Sequence, residues 1–354
     1  HGFYKLLKTK YTWPMIRTYQ FRIKDASKKK LLGSLAGKVN YIWNYLNETS
    51  QKAWARDRTW VSEFDFNYLT TGVSKDLGLA SDTIQSISSE YTARRNKRKR
   101  PGLRWRSRKR NLGWIPIKYR AIKINGDSLV FQKQKYRFWK TREILGTPKA
   151  GSFSQNSKGQ WFFNIACEVE SEAFRGKGSV GVDLGLKTLA TLSDGTTIEN
   201  PKTLLKWADR LAVAQRAHKK KRVTAIQNKI KNIRKDFLHK ESTKLVKKYK
   251  RIFVGNVSSS KLAKTRMAKS VFDAGWGMFK SMLEYKAISL GVDYKVVDEK
   301  YSTVTCSDCF EKNGPSGLSA LGVRAWDCKC GAKHLRDVNA AKNILRFADG
   351  RVSL

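Results

Sequence analysis

The sequence predicts a multidomain α+β fold, on three observations. Strand-like alternation brackets a helical block in the first half, a second set of strands carrying one acid opens the second half, and a cysteine cluster runs directly into a closing helix. At 354 residues the chain can hold two or three domains with proper cores. Its 72 Lys+Arg against 29 Asp+Glu give a net charge of +43, more than solubility requires. Such an excess repels itself in a free chain, so a polyanion is the natural partner. No long apolar run or basic amphipathic anchor stands out to make that polyanion a membrane surface.

Within Lys5–Lys24, the run Thr18–Lys24 alternates as a strand does. From Ser27 to Glu90 the period becomes helical: Leu31, Leu32, Leu35, Val39, Ile42, Trp43 and Leu46 form one stripe, and Thr83, Ile84, Ile87 and Tyr91 a second. Trp54, Trp60 and Tyr68 are less regular and offer stacking surfaces for bases. The densest basic run follows, including Arg94, Arg95, Arg98, Arg100, Arg104 and Arg106 with Trp105 interleaved and Pro101-Gly102 breaking it as a loop. Arginine suits bidentate phosphate and base-edge contacts, so these seven residues are candidate nucleic-acid contacts. Asn111–Glu170 returns to short strands separated by turns, and Tyr136, Phe138 and Trp139 could grip RNA there; Cys167 reads as a small core residue. Beyond Ser179–Leu192, two strands closed by an Asp194-Gly195 turn, lies a very basic helical segment. Two antiparallel helices are expected to reach Phe237, with Lys219, Lys220 and Arg222 as nucleic-acid contacts, and a further helix to run from His239 to Tyr249. Arg251–Val257 and Val292–Tyr301 read as neighbouring strands joined by a Lys261–Leu290 helix.

Four of the five cysteines, Cys306, Cys309, Cys328 and Cys330, fall as C-x2-C, eighteen residues, then C-x-C followed by Gly331. Two short pairs on separate turns can present four thiolates to a structural zinc ion. The second pair is one residue short, which makes His334 a possible substitute ligand, or else a surface or nucleic-acid contact. Asp337 opens the closing helix, where it either caps the first turn or joins a second acid. That acid is Asp183, alone in an apolar strand, where ionisation is costly unless a cation meets it. A strand-borne Asp followed by glycine, with a late helix-borne Asp, has the look of an RNase H-type nuclease core.

Five ordered blocks sharpen this: GVDLGLKTLATLSDG, FVGNVSSSKLAKTRMAKSVFDAGWGMFKSMLEYKA, VDEKYSTVTCSDC, GPSGLSALGVRAWDCKCG and RDVNAAKNIL. On them the C-terminal half closely resembles the TnpB family of insertion-sequence RNA-guided nucleases, relatives of the type V CRISPR effectors. The resemblance implies a wedge β-barrel with a helical recognition insert, followed by a RuvC/RNase H-like nuclease domain with an inserted zinc finger. The corresponding boundaries are 1–26 and 113–176 for the barrel, 27–112 for the insert, 177–302 and 334–354 for the nuclease, and 303–333 for the finger. It further implies a guide RNA from the transposon end, double-stranded target DNA beside a short motif, and a cytoplasmic, nucleoid-associated setting in a prokaryote.

Three carboxylates are wanted to hold two magnesium ions around an in-line attack on a phosphodiester. Many relatives place the middle one at the end of the Arg251 strand, where this sequence has Gly255 and Asn256. Neighbouring strands lie about 4.8 Å apart, so Glu299 on the next strand can fill the place, and some relatives carry such a relocated glutamate. Asp298 is the rival, but alternation lets only one of the two face the metals. Where relatives often have an acid, Leu335 stands. The expected catalytic and magnesium-holding set is therefore Asp183, Glu299 and Asp337. The alternative is a nuclease-inactive RNA-guided repressor, and a third carboxylate separates the two.

Overall fold

The computed structural model describes residues 14–170, 176–257, 262, 265, 267–317 and 319–350. The expected segments before residue 14, at 171–175, across most of 258–266 and after 350 lie outside the described residues. The chain forms two compact units, Pro14–Glu170 and a unit formed mainly by residues after it.

In the first unit, β1 (Pro14–Arg22), β7 (Trp161–Glu170), β6 (Thr147–Gln155) and β2 (Trp114–Lys118) form an antiparallel sheet in the order β1-β7-β6-β2. Strict alternation makes β7 a core strand, because Trp161, Phe163, Ile165, Cys167 and Val169 all turn inward. A smaller meander joins β3 (Lys123–Asn125), β4 (Ser128–Phe131) and β5 (Gln134–Arg137). Between β1 and β2 the chain leaves the sheet for four helices: α1 (Lys28–Asp57), α2 (Glu63–Leu69), α3 (Val73–Leu77) and α4 (Ser81–Arg98). Helix α1 buries Leu32, Leu35, Val39, Ile42, Trp43 and Leu46, the stripe its spacing predicts. Helix α2 starts where Ser62 and Asp65 exchange hydrogen bonds in a capping box. The Asp65 carboxyl is lowered by those Ser62 bonds.

The second unit is built on a five-stranded sheet in the order β10-β9-β8-β11-β12. Strands β8 (Ser179–Leu184), β9 (Thr188–Leu192) and β10 (Thr197–Glu199) form an antiparallel meander, while β11 (Arg251–Gly255) and β12 (Asp293–Val297) extend it in parallel with β8. Parallel neighbours need long crossovers. Helices α5 (Thr203–Arg216) and α6 (Lys220–Lys248) supply the one before β11, and α7 (Ala268–Ala274) and α8 (Trp276–Leu290) the one before β12. The expected break near Phe237 is absent: α6 is one continuous helix, because no glycine or proline interrupts it. The expected Lys261–Leu290 helix is instead divided at Gly275, whose φ of +70° ends α7 in a left-handed turn. After β12 come a small hairpin, β13 (Ala325–Asp327) with β14 (Lys333–Leu335), and the closing helix α9 (Arg336–Ala348).

The pleat gives this sheet two different faces. Val180, Val182, Leu184, Ile252 and Val254 join Leu238, Phe279, Leu283 and Ala287 of α6 and α8 in the main core. Phe253 and Val297 face the other way, into a core with Ile344 of α9. Residues 181, 183, 255 and 299 share the parity of this second face. Gly181 is why α9 can come so close: a Cβ there would lie 2.0 Å from the Ala341 carbonyl oxygen and 2.7 Å from the Leu345 nitrogen.

Candidate metal centres

The two acids with a long sequence gap are brought together by that close approach. Asp183 stands near the end of β8, and Asp337 in the first turn of α9 lies within electrostatic reach of it. Burial pushes the Asp183 carboxyl up to about 7, and the charges of Glu299 and then Asp337 push in the same direction, against a smaller pull from Arg336. Asp337 is half-exposed, and its Oδ2 lies 3.6 Å from Arg324.

Glu299 reaches this place through a hollow. In the ladder, Val254 faces Val182 and Gly255 faces Val297, so Gly255 sits beside Asp183 and two residues short of Glu299. A Cβ on Gly255 would lie 2.1 Å from Glu299 Oε2, so the glutamate occupies the volume that a side chain at 255 would fill. Burial raises the Glu299 carboxyl, opposed by a hydrogen bond from the Val257 backbone and by the Lys280 charge. Its Oε2 is nevertheless buried with no hydrogen-bond partner. An unpaired buried carboxylate oxygen is costly, and beside two more acids it is relieved by a bound cation or, in its absence, by a proton. Asp298 is engaged elsewhere: its Oδ1 accepts from Asn256 Nδ2 at 3.0 Å and from the Lys300 amide at 3.2 Å.

Among the described residues, a metal-sized group of ligand atoms forms at Cys306, Cys309, Cys328 and Cys330, whose sulfurs all lie within 4.8 Å of one another. Cys306 and Cys330 sulfurs are 3.8 Å apart, and those of Cys309 and Cys328 3.5 Å. The amides of Asp308 and Cys309 point at Cys306 Sγ, each at 3.4 Å. The Cys330 amide and then Asn313 hold the Cys328 thiol down, to about 6. Gly331, at φ +89°, makes the turn that the short second pair needs. His334 is not a surface residue: it is 5% exposed, packs against Trp326 with the rings tilted and their centroids 4.6 Å apart, and sets Nε2 3.0 Å from Cys306 Sγ.

This knuckle is fastened to α9 by two buried amides. Asn339 Nδ2 donates to the Thr305 carbonyl at 2.8 Å while its Oδ1 accepts from the Ser307 amide at 2.8 Å; Asn343 Nδ2 donates to the Thr305 and Ser302 carbonyls at 2.6 and 2.8 Å. Asn339 therefore ties the cysteine loop to the helix carrying Asp337.

Of the basic candidates, Arg98, Arg100, Arg104 and Trp105 are exposed, and Arg94 is exposed but paired with Glu90. Arg95 corrects the expectation: it is 0% exposed, bonded to the Val61 carbonyl and Ser50 Oγ, and stacked on Trp60. It continues the inward stripe of Ile84, Ile87 and Tyr91, a spacing visible in the sequence. Arg106 is half-buried, bonded to Asn40, with its guanidinium against Trp43 and Trp114. A hollow of 140 Å³ is lined by Trp43, Arg94, Arg98, Leu103, Arg104, Arg106 and Asn111. Tyr136 and Phe138 are core residues at 0% exposure, which leaves Trp139 as the exposed aromatic of that group. In the second unit, Lys219, Lys220 and Arg222 are exposed at the turn between α5 and α6. Sequence reasoning missed Asn256, Lys280 and the reason for Gly181; a glycine inside an apolar strand is the one available signal of such close approach. Among the described residues no helix is long and apolar enough to cross a membrane.

Comparison with known proteins gives a consistent set of matches. The family described as "Probable transposase" matches residues 163–266, and "Cas12f1-like, TNB domain" matches residues 276–344. A Streptomyces pristinaespiralis protein named "Putative RNA-guided DNA endonuclease" is 29% identical, over 93% of this chain and 88% of its own length. "CRISPR-associated endodeoxyribonuclease Cas12f1" of Sulfoacidibacillus thermotolerans is 25% identical, over 53% of this chain and 50% of that protein. Among solved structures, "Cryo-EM structure of the Cas12f1-sgRNA-target DNA complex" superposes with a TM-score of 0.64 at 12% identity, covering 94% of this chain and 98% of that one, a likeness of mixed α+β, multidomain fold. With the two family matches in order along the chain and a relative aligned over nearly its whole length, the chain is similar throughout to proteins named as transposases and RNA-guided DNA endonucleases.

Proposed function

We propose that this chain is a transposon-encoded, RNA-guided DNA endonuclease that hydrolyses target DNA beside a short motif. In this reading the second unit is the RuvC/RNase H-like nuclease with its inserted finger, and the first is the wedge barrel interrupted by the recognition helices. Its partners are a guide RNA from the transposon end and double-stranded DNA. Asp183, Glu299 and Asp337 are the residues that would hold two magnesium ions, and Cys306, Cys309, Cys328 and Cys330 would hold a structural zinc. The observation that carries the reading is the Glu299 carboxylate, lodged in the hollow over Gly255 with Oε2 buried and unpartnered beside Asp183. It supplies the third acid whose absence would have favoured an inactive repressor.

Both donor sets suit these ions. Carboxylate oxygens are the hard ligands magnesium prefers. Four sulfurs about 2.3 Å from a tetrahedral zinc are about 3.8 Å apart, the spacing seen between Cys306 and Cys330. Bound divalent ions would supply the positive charge that phosphodiester hydrolysis requires. The chain's own residues fix the site: the sheet holds Asp183, the Gly255 hollow admits Glu299, and the Asn339 and Asn343 bonds set the root of α9 and hence Asp337. The exposed arginines and lysines would track phosphates, giving shape recognition with base pairing left to the guide.

The test is magnesium-dependent cleavage of guide-matched duplex DNA, with guide-dependent binding measured alongside. Asp183→Ala, Glu299→Ala and Asp337→Ala should each lose cleavage by on the order of 100-fold or more while binding persists. Gly255→Glu alone should be inactive, because two carboxylates would compete for one hollow, and adding Glu299→Gly should restore cutting. Binding without any cut by the wild type would make the chain a guided repressor.

A further inference from the structure

Two adjacent carboxylates, Asp298 and Glu299, leave the end of β12, and something must decide which of them turns toward Asp183. Strand parity alone is a weak determinant here, since the strand ends at Val297 and both acids lie in the turn beyond it. The structure places one side chain against both. Asn256, the first residue after β11, donates from Nδ2 to Asp298 Oδ1 at 3.0 Å and accepts at Oδ1 from the Glu299 backbone amide at 3.3 Å. Asp298 Oδ1 also receives the Lys300 amide, and the Glu299 carbonyl accepts from the Ser302 amide at 3.0 Å, so the turn is closed on both sides of the glutamate.

The consequence is a division of labour between the two acids. Asp298 is consumed as a turn acceptor, outside the hollow. Glu299 is left to enter the hollow over Gly255, where its Oε2 has no partner. The clamp demands a donor and an acceptor on one short, planar group. Aspartate at 256 would keep the acceptor and lose the donor, setting a second carboxylate against Asp298; alanine would lose both. Gly255 and Asn256 therefore act as a pair, one vacating the space and the other steering the replacement into it.

We propose that Asn256 is a positioning residue that selects Glu299 over Asp298 as the third carboxylate of the metal site. This rests on the reading of Glu299 as a metal ligand, and the experiment separates the two. Manganese, visible by electron paramagnetic resonance, serves as the probe, titrated into the full-length chain without RNA. Cleavage by the guide complex is measured as a function of metal concentration, and melting temperature and guide-dependent DNA binding are followed as controls. The variants are Glu299→Gln, Asn256→Ala, Asn256→Asp and the double variant Asn256→Asp/Asp298→Asn, which restores a donor–acceptor pair with the roles exchanged.

Asn256→Ala and Asn256→Asp should each weaken manganese binding by about 10–100-fold, the range for residues that orient a metal's ligands, and raise the metal concentration needed for cleavage in parallel. DNA binding should be unchanged. The double variant should recover to within about threefold of wild type, a coupling that a merely structural role for Asn256 would not produce. Wild-type manganese affinity in folded Asn256→Asp overturns the proposal, as does a folded double variant no better than Asn256→Asp. If Glu299→Gln weakens manganese binding while the Asn256 variants do not, the positioning role alone fails. If Glu299→Gln itself binds manganese as the wild type does, the reading of the carboxylate site fails with it.

Discussion

Asp183 keeps its proton to about pH 7 in the metal-free chain, well above its ordinary value of 3.8, chiefly because burial penalises the charge. Between those two pH values the folded state holds a proton that the unfolded chain releases. The stability this contributes is complete below pH 3.8 and is lost as the pH rises through 7. Metal-free wild type should therefore lose more melting temperature between pH 4 and pH 8 than Asp183→Asn. The excess should be at most on the order of 10 °C, since a carboxyl raised from 3.8 to about 7 is worth up to about 4 kcal/mol. Parallel slopes in the two proteins, measured by differential scanning fluorimetry, would contradict it. Asp183 was legible from sequence because a lone acid in an apolar strand demands an explanation. Glu299 was reached by counting along neighbouring strands. Asn256 was not, because its bonds to residues 298 and 299 cross 42 and 43 positions of sequence and depend on the end geometry of two strands.

At the scale of elements, the seam between β8 and α9 is the most constrained. A methyl group on Gly181 would meet the Ala341 backbone, which cannot move aside as a flexible side chain would. Gly181→Ala should cost about 1–3 kcal/mol and lower cleavage by withdrawing Asp337 from Asp183. Gly277, in α8, has open space where a Cβ would stand, so Gly277→Ala should be neutral or stabilise by about 0.5–1 kcal/mol. Thermal melts of the two variants check this, and a Gly181→Ala protein as stable as wild type would remove the close-packing argument. Elements with strong periodicity, such as α1 and β7, were readable because period and burial coincide in them. Basic stretches were harder. Charge by itself says nothing about helical phase, so Arg94 and Arg95 looked alike although position 95 continues the apolar stripe of Ile84, Ile87 and Tyr91, and α6 was divided where its backbone runs on.

At the scale of the whole molecule, a net charge of +43 would dominate the proposed association with nucleic acid. Each phosphate contact releases counterions, so affinity for guide RNA should fall by on the order of 10³-fold between about 50 and 200 mM salt. A nearly flat salt response in a filter-binding or anisotropy titration would mean that few of the exposed lysines and arginines touch phosphate. Composition made the polyanion visible at once. It could not say which cations form a surface, because that is decided by packing, as the contrast between exposed Arg104 and enclosed Arg95 illustrates.

Strand β14 passes into α9 with no residue between them, Leu335 ending one and Arg336 beginning the other. The cysteine knuckle therefore works as an indexing stop for a shaft. One residue inserted between Cys330 and Asp337 would turn the acid by about 100° around the helix axis without altering its chemistry. Length between those two positions should thus be less tolerant of change than the identity of the exposed residues there, with Gly331 and His334 held in addition by the turn and the packing they make.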